Sequence, residues 1–293
     1  MSDPAVSTAP QAAHAAALSP ARDAAEAARR LDAWFAACPG VAVAFSGGVD
    51  SALVAYWARR TLGRTRATAW IADSPSLKRD DLARARDLCA AFDIPLQEIA
   101  TDEIDNPDYA SNPVDRCFHC KTTLYSTLAE RLAGRRAAIW ICSGANLDDQ
   151  GDYRPGLRAA SDAHVRHPLM ECGLGKTLIR ELARAHGLPV WNKPASPCLS
   201  SRIPYGQAVT RDKLAQIEAA EAWLQRAGFE ICRVRHFGDR AGIEVPPDRL
   251  DDLRPRLPEL REAFSSLGFT AVEIDPEGFV SGKLNRAIAR PVS

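Results

Sequence analysis

Short apolar runs alternate with amphipathic stretches over the first two thirds of the chain. The apolar runs have the length and composition of buried strands, and they lie at residues 41–45, 66–72, 96–99 and 137–143. The stretches around them predict helices at residues 24–37, 52–62, 77–92, 115–133 and 176–186. Strands that alternate with helices predict an α/β fold with a doubly wound parallel sheet, which binds ligands at the carboxyl ends of its strands.

The pattern changes near the turn Ile203-Pro204-Tyr205-Gly206. Beyond it, alternation predicts strands at 231–237, 241–245 and 271–274, and helices at 211–227 and 249–267. We therefore predict an α/β domain over residues 21–204 and a smaller C-terminal α+β domain over residues 205–293. Residues 1–20 are rich in Ala, Pro and Ser and predict a disordered tail.

The first strand runs directly into a glycine-rich turn and then a helix. The turn reads Ser46-Gly47-Gly48-Val49-Asp50-Ser51. Glycines let the backbone approach an anion closely, and the helix N-terminus adds unpaired N–H groups and partial positive charge. The two serines add hydroxyl donors. The turn therefore predicts a cradle for a phosphate or pyrophosphate.

Two better-known phosphate loops do not fit the sequence. A Walker A loop needs G-x-x-x-x-G-K-[ST], and the string Gly175-Lys176-Thr177 has Met170 in place of the first glycine. The dinucleotide fingerprint G-x-G-x-x-G does not fit the turn after the first strand either.

Composition narrows the function classes. The chain has 293 residues, with 37 basic and 37 acidic side chains and a formal net charge of zero. A polynucleotide substrate is disfavoured, because proteins that bind one usually show a basic excess. No apolar run approaches the roughly 20 residues of a membrane helix, and the first residues carry no basic leader. We therefore expect a cytoplasmic protein.

The eight cysteines fall into two groups. In a cytoplasmic chain they argue against a disulfide framework. Four lie in apolar stretches and predict small core residues, namely Cys38, Cys89, Cys142 and Cys232. By contrast, Cys117 and Cys120 form a CxxC pair. With Cys198 they suit an iron–sulfur cluster with one open iron, and with His119 also a zinc site. Both alternatives stay open at this stage.

Several motifs together resemble a specific family. The SGGxDS turn resembles the PP-loop of the N-type ATP pyrophosphatases, which adenylate a carboxylate or carbonyl group and release pyrophosphate. Over roughly residues 25–290, the chain resembles the LarE family of ATP-dependent sulfur transferases. The motifs that carry this resemblance are SGGVDS, RCFHCK, SGANLDDQGDYRPGLRAA, GLGKTLIRELARAHGLPVWNKPA and SSRIPYG.

The resemblance implies a substrate and a reaction. The family activates the carboxylates of pyridinium-3,5-biscarboxylate mononucleotide with ATP and converts them to thiocarboxylates. The product leads to the nickel-pincer nucleotide, the cofactor of lactate racemase. The implied cofactors are ATP, Mg²⁺ and a [4Fe-4S] cluster. The expected partners are this small mononucleotide, a second copy of the chain in a homo-oligomer, and a sulfide-supplying protein, with neither polynucleotide nor membrane.

The sulfur source differs between two branches of the family. One branch sacrifices a single cysteine, whereas the other holds a [4Fe-4S] cluster on three cysteines. Aligned on Arg202, the single cysteine falls at Pro197, one residue before Cys198. This departure favours the three-cysteine branch, with Cys117, Cys120 and Cys198 as ligands and Cys198 as a catalytic residue. A sacrificial Cys198 stays the alternative.

The remaining site residues follow from the chemistry of adenylation. Carboxylates suit Mg²⁺, although two of them also fit as helix caps. Arginines suit the pyrophosphate, the carboxylates and the phosphate of the substrate. Two of them also fit as surface ion pairs, and the two on one strand also fit an exposed, solvated face. Arg202 is also a catalytic candidate, beside Asp50. The candidate magnesium ligands are Asp50, Asp148, Asp149 and Asp152. The candidate arginines are Arg154, Arg202, Arg233 and Arg235. The candidate ATP-binding residues are Ser46, Gly47, Gly48, Asp50, Ser51, Ser74 and Gly144.

Three other functions compete with sulfur transfer to a small nucleotide. A PP-loop enzyme that thiolates tRNA would need a basic RNA-binding extension. An amidotransferase-like ligase would leave the CxxC pair unexplained. A metal-binding or nucleotide-sensing protein would bind ATP without releasing pyrophosphate.

Overall fold

The computed structural model describes residues 19–135, 138–150, 155–280 and 283. The chain forms two compact units, each built from segments that are not contiguous in sequence. The predicted division at residue 204 into contiguous domains stays a prediction. By compactness, the second unit also takes in stretches of the chain that precede residue 205. The first unit takes in the chain up to Asp73, Asp80–Thr101 and Lys121–Ser196; the second takes in Ser74–Arg79, Asp102–Cys120 and the chain from Pro197 onward.

Four parallel strands form the sheet of the first unit, in the order β3-β2-β1-β4. They are β1 Val41–Ala44, β2 Ala67–Asp73, β3 Leu96–Ala100 and β4 Trp140–Cys142. The predicted α/β fold is confirmed. The chain runs from β1 outward to β3 and then returns to the other side of β1. The carboxyl ends of β1 and β4 therefore lie side by side, at the switch point where such sheets bind ligands.

Helices precede and follow these strands as predicted, with three additional short ones. In chain order they are α1 Ala24–Ala36, α2 Val49–Leu62, α3 Arg79–Ala91, α4 Pro107–Ala110, α5 Arg116–Arg131, α6 Pro155–Asp162, α7 Pro168–Glu171 and α8 Lys176–Ala185. The short helices α4, α6 and α7 were missed because four to eight residues give too little periodicity. None of the helices that the structure describes is long and apolar enough to cross a membrane.

Helix α2 lies at the centre of the first unit. Leu53 and Trp57 are fully buried, and the helix contacts β1 and β2 and packs against α1 and α8. The indole N–H of Trp57 donates to Asp32 at 2.8 Å, so the only polar atom of this buried side chain is paired. The helix that follows the glycine-rich turn is therefore held by packing against two strands and two helices.

The second unit contains a mixed three-stranded sheet. Strand β5 Arg233–Phe237 pairs antiparallel with β6 Arg240–Glu244, which pairs parallel with β7 Ala271–Ile274. Helix α9 Arg211–Arg226 packs on β5. The predicted α+β character of the C-terminal region is confirmed.

The predicted helix over residues 249–267 is wrong in one respect. It is broken into α10 Leu250–Leu253, a 3₁₀ turn Arg254–Arg256 and α11 Leu257–Ser266. Pro255 causes the break, because proline has no N–H to donate and its ring clashes with the preceding helical turn. Pro258 is tolerated because it lies in the first turn of α11.

Candidate functional site

The turn after β1 is shaped by its own side chains and glycines. Gly47 has a φ of 69°, a left-handed conformation that glycine adopts without steric cost. The Ser51 hydroxyl accepts a hydrogen bond from the Ser46 N–H at 3.1 Å and donates one to the Gly48 carbonyl at 3.1 Å. Gly48 is also the N-cap of α2. The loop is therefore held at the amino end of a 14-residue helix, which is the arrangement that binds phosphate.

Gly144 follows β4 and lies against the first turn of α2. A Cβ atom at this position would lie 2.7 Å from the Ser51 nitrogen and 3.0 Å from the Asp50 carbonyl carbon. Only glycine fits such an approach without displacing backbone. The turn after β4 therefore touches the PP-loop helix at the switch point, where Gly144 was predicted to contact ATP; that contact stays a prediction.

Lys176 reaches into the same region from the first residue of α8. Its Nζ donates to both carboxylate oxygens of Asp50, at 2.7 and 2.6 Å, and its backbone N–H donates to Asp148 Oδ2 at 2.7 Å. Sequence reasoning set Lys176 aside because its string does not complete a Walker A loop. One feature of the sequence could have indicated an acidic partner for Lys176. A positive side chain at a helix N-terminus is electrostatically unfavourable, so a nearby carboxylate is expected to offset its charge.

The predicted magnesium ligands have different surroundings. Asp50 pairs with Lys176. Asp149 forms a capping box with Asn146 on the 3₁₀ turn Leu147–Asp149. Its carboxylate therefore caps this turn, as the alternative to magnesium binding predicted. Asp152 lies outside the described residues, as does Arg154. Among the residues that the structure describes, no group of three His, Cys, Asp or Glu side chains is arranged to hold a metal ion.

Ser74 directly follows β2 and belongs to the second unit. The side chain is buried, and its hydroxyl accepts a hydrogen bond from the Ser76 N–H at 3.3 Å. Its carbonyl accepts a hydrogen bond from Arg79 at 2.8 Å. The predicted contact of Ser74 with adenine stays a prediction.

A buried carboxylate ties the segment after α8 to the PP-loop. Asp81, in the first turn of α3, accepts hydrogen bonds from Lys193 Nζ at 2.9 Å and from Ser196 Oγ at 3.0 Å. Lys193 Nζ also donates to the Gly47 carbonyl at 3.4 Å. The sequence did not predict these hydrogen bonds, because they join three segments that are far apart along the chain.

In the second unit, two backbone segments carry the three cysteines that the sequence singled out. Cys117 and Cys120 lie on the first two turns of α5, and Cys198 is the N-cap of a 3₁₀ turn Leu199–Arg202. Cys117 and Cys198 are exposed and Cys120 is half-buried. The buried Arg116 donates to the Ser200 carbonyl at 3.0 Å, so the start of α5 is tied to the Cys198 turn.

Arg116 is a buried cation beside two of these thiols. Burial acts to lower the pKa of its guanidinium, but the neighbouring Cys198 and Cys117 raise it, and the net shift is upward. The guanidinium also donates to the side chain of Asn112.

The buried Tyr109 is bonded to the turn that follows Cys198. Its hydroxyl hydrogen-bonds to Ser76 Oγ at 2.6 Å and to Ser200 Oγ at 2.7 Å. Burial raises the pKa of Tyr109, and the thiols of Cys198 and Cys120 raise it further. Cys198 thus affects the pKa of both Arg116 and Tyr109, whereas Cys117 affects that of Arg116 and Cys120 that of Tyr109.

The other five cysteines differ from these three. Each is buried, and each belongs to the apolar interior. Burial raises the pKa of four of these thiols to about 12, and that of Cys142 well above its ordinary value. The core prediction for four of them is confirmed, and Cys172 joins that group. The five are Cys38, Cys89, Cys142, Cys172 and Cys232.

Arg202 is almost fully buried, with 2% of its side chain exposed. Its Nε and Nη2 donate to Glu221 at 2.8 and 3.2 Å, and its Nη1 donates to the Cys198 carbonyl at 3.2 Å. Lys78 also pairs with Glu221, at 2.5 Å. Burial acts to raise the pKa of Glu221, but Arg202 and Lys78 lower it below its ordinary value. Arg202 therefore anchors the Cys198 turn through hydrogen bonds, and its catalytic role stays a prediction.

Arg233 and Arg235 lie two positions apart on β5 and are both buried. Arg235 forms a bidentate ion pair with Glu244, with both bonds at 2.9 Å. Arg233 instead stacks on the Phe279 ring at 4.4 Å. Burial lowers the pKa of Arg233 to about 10, and the charges of Arg202 and Arg235 act in the same direction. Because Arg233 is buried and other arginines lower its pKa, a bound anion would stabilise its charged form.

Comparisons with known proteins give the family. A family model described as NAD synthase matches residues 35–116, which include the PP-loop. The chain is 42% identical over 250 residues to an uncharacterized protein of Synechocystis sp. The aligned region covers 85% of this chain and 92% of that relative. It is 37% identical over 250 residues to the pyridinium-3,5-bisthiocarboxylic acid mononucleotide synthase of Lactiplantibacillus plantarum, covering 85% of this chain and 90% of that relative. An uncharacterized protein of Methanocaldococcus jannaschii is 26% identical over 237 residues, covering 81% and 89%.

The parallel sheet and the glycine-rich turn at its switch point define a PP-loop α/β protein. Because the 37% identity extends over most of both chains, this chain belongs to the LarE family, that of the pyridinium-3,5-bisthiocarboxylic acid mononucleotide synthase. The resemblance carried by the motifs is confirmed. Membership supports an ATP-using enzyme with Mg²⁺ as the companion ion.

Proposed function

We propose that the chain is an ATP-dependent sulfur transferase that converts the carboxylates of pyridinium-3,5-biscarboxylate mononucleotide to thiocarboxylates. The observation that carries the proposal is the PP-loop at the β1–β4 switch point in a chain 37% identical to a synthase of the corresponding thiocarboxylate product. The product would serve the nickel-pincer cofactor of lactate racemase. We also propose a homo-oligomer that works with a sulfide-supplying protein.

The first unit supplies the ATP-binding elements. Ser46, Gly47, Gly48 and Ser51 form the cradle for the phosphates, and Gly144 closes against it. Asp50 is the candidate ligand for the Mg²⁺ that enters with ATP, since carboxylate oxygens suit this ion. The substrate carboxylate attacks the α-phosphorus, pyrophosphate leaves, and an acyl-adenylate remains.

The second unit supplies an anchor for the phosphate of the substrate. Arg233 is the candidate, because its guanidinium is buried and faces Arg202 and Arg235 as well as two carboxylates. Arg235 is already neutralised by Glu244 and fixes the strand that carries Arg233. A phosphate monoester would compensate the charge that Arg233 brings into the interior.

We propose that the second unit binds a [4Fe-4S] cluster, because thiolates are the usual ligands of such clusters. The proposed ligands are Cys117, Cys120 and Cys198, and the described residues do not hold them in a ready-made metal-binding arrangement. Arg116, whose pKa the Cys198 and Cys117 thiols raise, would offset the charge of bound thiolates. The three cysteines would hold the cluster, and its open iron would supply an extra sulfide for transfer. Arg202 keeps the Cys198 turn in place through its bonds to two carbonyls of that turn.

The test is anaerobic turnover with ATP, Mg²⁺ and pyridinium-3,5-biscarboxylate mononucleotide. We expect pyrophosphate release that depends on the mononucleotide, and a product about 16 Da heavier for each oxygen replaced by sulfur. Asp50→Ala and Ser51→Ala should abolish pyrophosphate release. The proposal fails if wild-type protein binds ATP but releases no pyrophosphate with this substrate.

The sulfur source is decided by iron content and by the mass of Cys198. Protein prepared anaerobically should hold about four irons per chain, and alanine at any of the three cysteines should remove them. Cys198 should be intact after turnover. Loss of about 34 Da from the peptide that contains Cys198 would instead show that this cysteine donates its sulfur. One zinc per chain would replace the cluster by a structural metal site.

A further inference from the structure

His167 lies beside the turn that follows β4, yet the proposed mechanism does not use it. We infer that His167 is a positioning residue of the ATP site. Its imidazole holds the Ser143 hydroxyl, and that hydroxyl holds the turn that carries Gly144. The inference rests on the proposed function, because that function assigns ATP to this turn.

The pairing of two chain segments brings His167 and Ser143 side by side. Arg166 and Cys142 are partners in a parallel bridge at the end of β4. The Arg166 N–H donates to the Ile141 carbonyl at 2.8 Å, and the Ser143 N–H donates to the Arg166 carbonyl at 2.9 Å. The next residue of each segment is His167 or Ser143. Because side chains of extended segments alternate between the two faces, these two neighbours share a face.

The Ser143 hydroxyl joins the histidine to the turn. His167 Nδ1 lies within hydrogen-bond distance of Ser143 Oγ, at 2.8 Å, and the same oxygen accepts a hydrogen bond from the Ala145 N–H at 3.3 Å. A serine that bonds the N–H two residues further on closes a local turn. The turn encloses Gly144, so His167 acts on the position of Gly144 through Ser143.

A largely buried ion pair holds the backbone of His167. The His167 N–H donates to Glu171 Oε1 at 2.8 Å. Glu171 also accepts hydrogen bonds from Arg166 Nε at 2.9 Å and from the Trp34 indole at 2.8 Å. Burial acts to raise the pKa of Glu171, but Arg166 and the His167 N–H lower it below its ordinary value. The carboxylate is therefore charged at neutral pH and anchors the segment that carries the buried imidazole.

The turn and the PP-loop helix are in close contact. A Cβ atom at position 144 would lie 2.7 Å from the Ser51 nitrogen and 3.0 Å from the Asp50 carbonyl carbon. Closely packed groups transmit small displacements to one another. Loss of the hydrogen bond between His167 and Ser143 should therefore alter nucleotide binding, and not only the stability of the fold.

A double-mutant cycle tests this coupling. The variants are His167→Phe, Ser143→Ala and the double variant, and calorimetry measures their affinity for α,β-methylene-ATP with Mg²⁺. We expect each single variant to weaken binding about five- to twentyfold, because a buried hydrogen-bonding group loses a partner. The double variant should bind no more weakly than the weaker single variant, since both changes remove one interaction.

A conservative variant separates positioning from a general loss of packing. The amide of His167→Asn offers a hydrogen-bonding atom at about the place of Nδ1, so binding should recover to within about threefold of wild type. KM for the pyridinium mononucleotide should stay within about twofold of wild type in every variant. If His167→Phe does not fold, His167→Leu takes its place in the cycle.

The matched control breaks another histidine–hydroxyl pair of the first unit. His186 Nδ1 lies 3.2 Å from the Tyr56 hydroxyl, and His186→Phe should keep analogue affinity within about twofold of wild type. The inference is overturned if His167→Phe and Ser143→Ala keep that affinity, or if their effects multiply in the double variant. If wild type binds the analogue but releases no pyrophosphate with the mononucleotide, the proposed function fails and the cycle still decides the role of His167. Absence of analogue binding in wild type would overturn both.

Discussion

The surroundings of Arg233 determine the pKa of its guanidinium and the cost of burying it. Arg233 occupies a strand position beside Arg235, yet Arg235 has a carboxylate partner and Arg233 has an aromatic ring. Burial lowers the pKa of Arg233 to about 10, from an ordinary value of 12.5. The group is still charged at neutral pH. Because its pKa is lower folded than unfolded, its burial costs stability below about pH 10, and a bound anion would offset that cost.

We predict that Arg233→Met raises KM for the pyridinium mononucleotide about 10–100-fold, since a hydrogen bond to a charged group contributes roughly 1.5–3 kcal/mol. Inorganic phosphate should raise the thermal midpoint of wild-type protein but not that of the variant. Arg240→Met is the control, because Arg240 pairs with Glu273 at an exposed position. Equal phosphate stabilisation in wild type and Arg233→Met would contradict an anion site at Arg233.

At the scale of elements, the site of the first unit depends on how closely two turns meet. The turn after β1 carries the PP-loop, and the turn after β4 brings Gly144 against the first turn of α2. Strand order makes this meeting possible, because β1 and β4 are neighbours, with Val43 opposite Cys142. A side chain at position 144 would push the two turns apart.

We predict that Gly144→Ala weakens ATP binding at least tenfold, because its Cβ would lie 2.7 Å from the Ser51 nitrogen. Calorimetric titration of ATP and Mg²⁺ measures the effect. Gly187→Ala is the matched control: Gly187 has a φ of 71° and no atom within 4 Å of an added Cβ. That control should lose about 1 kcal/mol of unfolding free energy and keep its ATP affinity. Wild-type affinity in Gly144→Ala would show that the two turns can separate without cost to the cradle.

At the scale of the whole molecule, the cysteines form two groups that differ in burial. Five thiols lie inside the two units, whereas Cys117 and Cys198 are exposed and Cys120 is half-buried. The thiols of these three cysteines also raise the pKa of Arg116 or of Tyr109. Thiol chemistry in the folded protein is therefore confined to one neighbourhood of the second unit.

We predict that cluster-free protein at pH 8 is alkylated by iodoacetamide only at Cys117, Cys120 and Cys198. The buried thiols are shielded, and a pKa of about 12 leaves four of them protonated, whereas thiolate is the reactive form. Peptide mass spectrometry with and without urea gives the order of labelling. Early labelling of Cys89 or Cys232 in the folded chain would contradict the division.

The sequence by itself determined the local elements and the family. The strand at residues 41–44, the SGGVDS turn and helix α2 are encoded within about 20 consecutive residues, and hydrophobic period and turn chemistry act over that distance. The buried places of Cys38, Cys89, Cys142 and Cys232 followed from the same patterns. Pro255 was a visible break that the helix prediction overlooked.

Only the tertiary structure decided which charged side chains meet. Lys176 and Asp50 are 126 positions apart, and the sequence around either residue does not predict that the two form an ion pair. Arg202 and Arg233 are both arginines in motif-rich segments, yet one is bound by Glu221 and the other stacks on Phe279. The physical reason is that ion pairing depends on the separation and burial of two groups, which follow from the packing of distant segments and not from either segment alone.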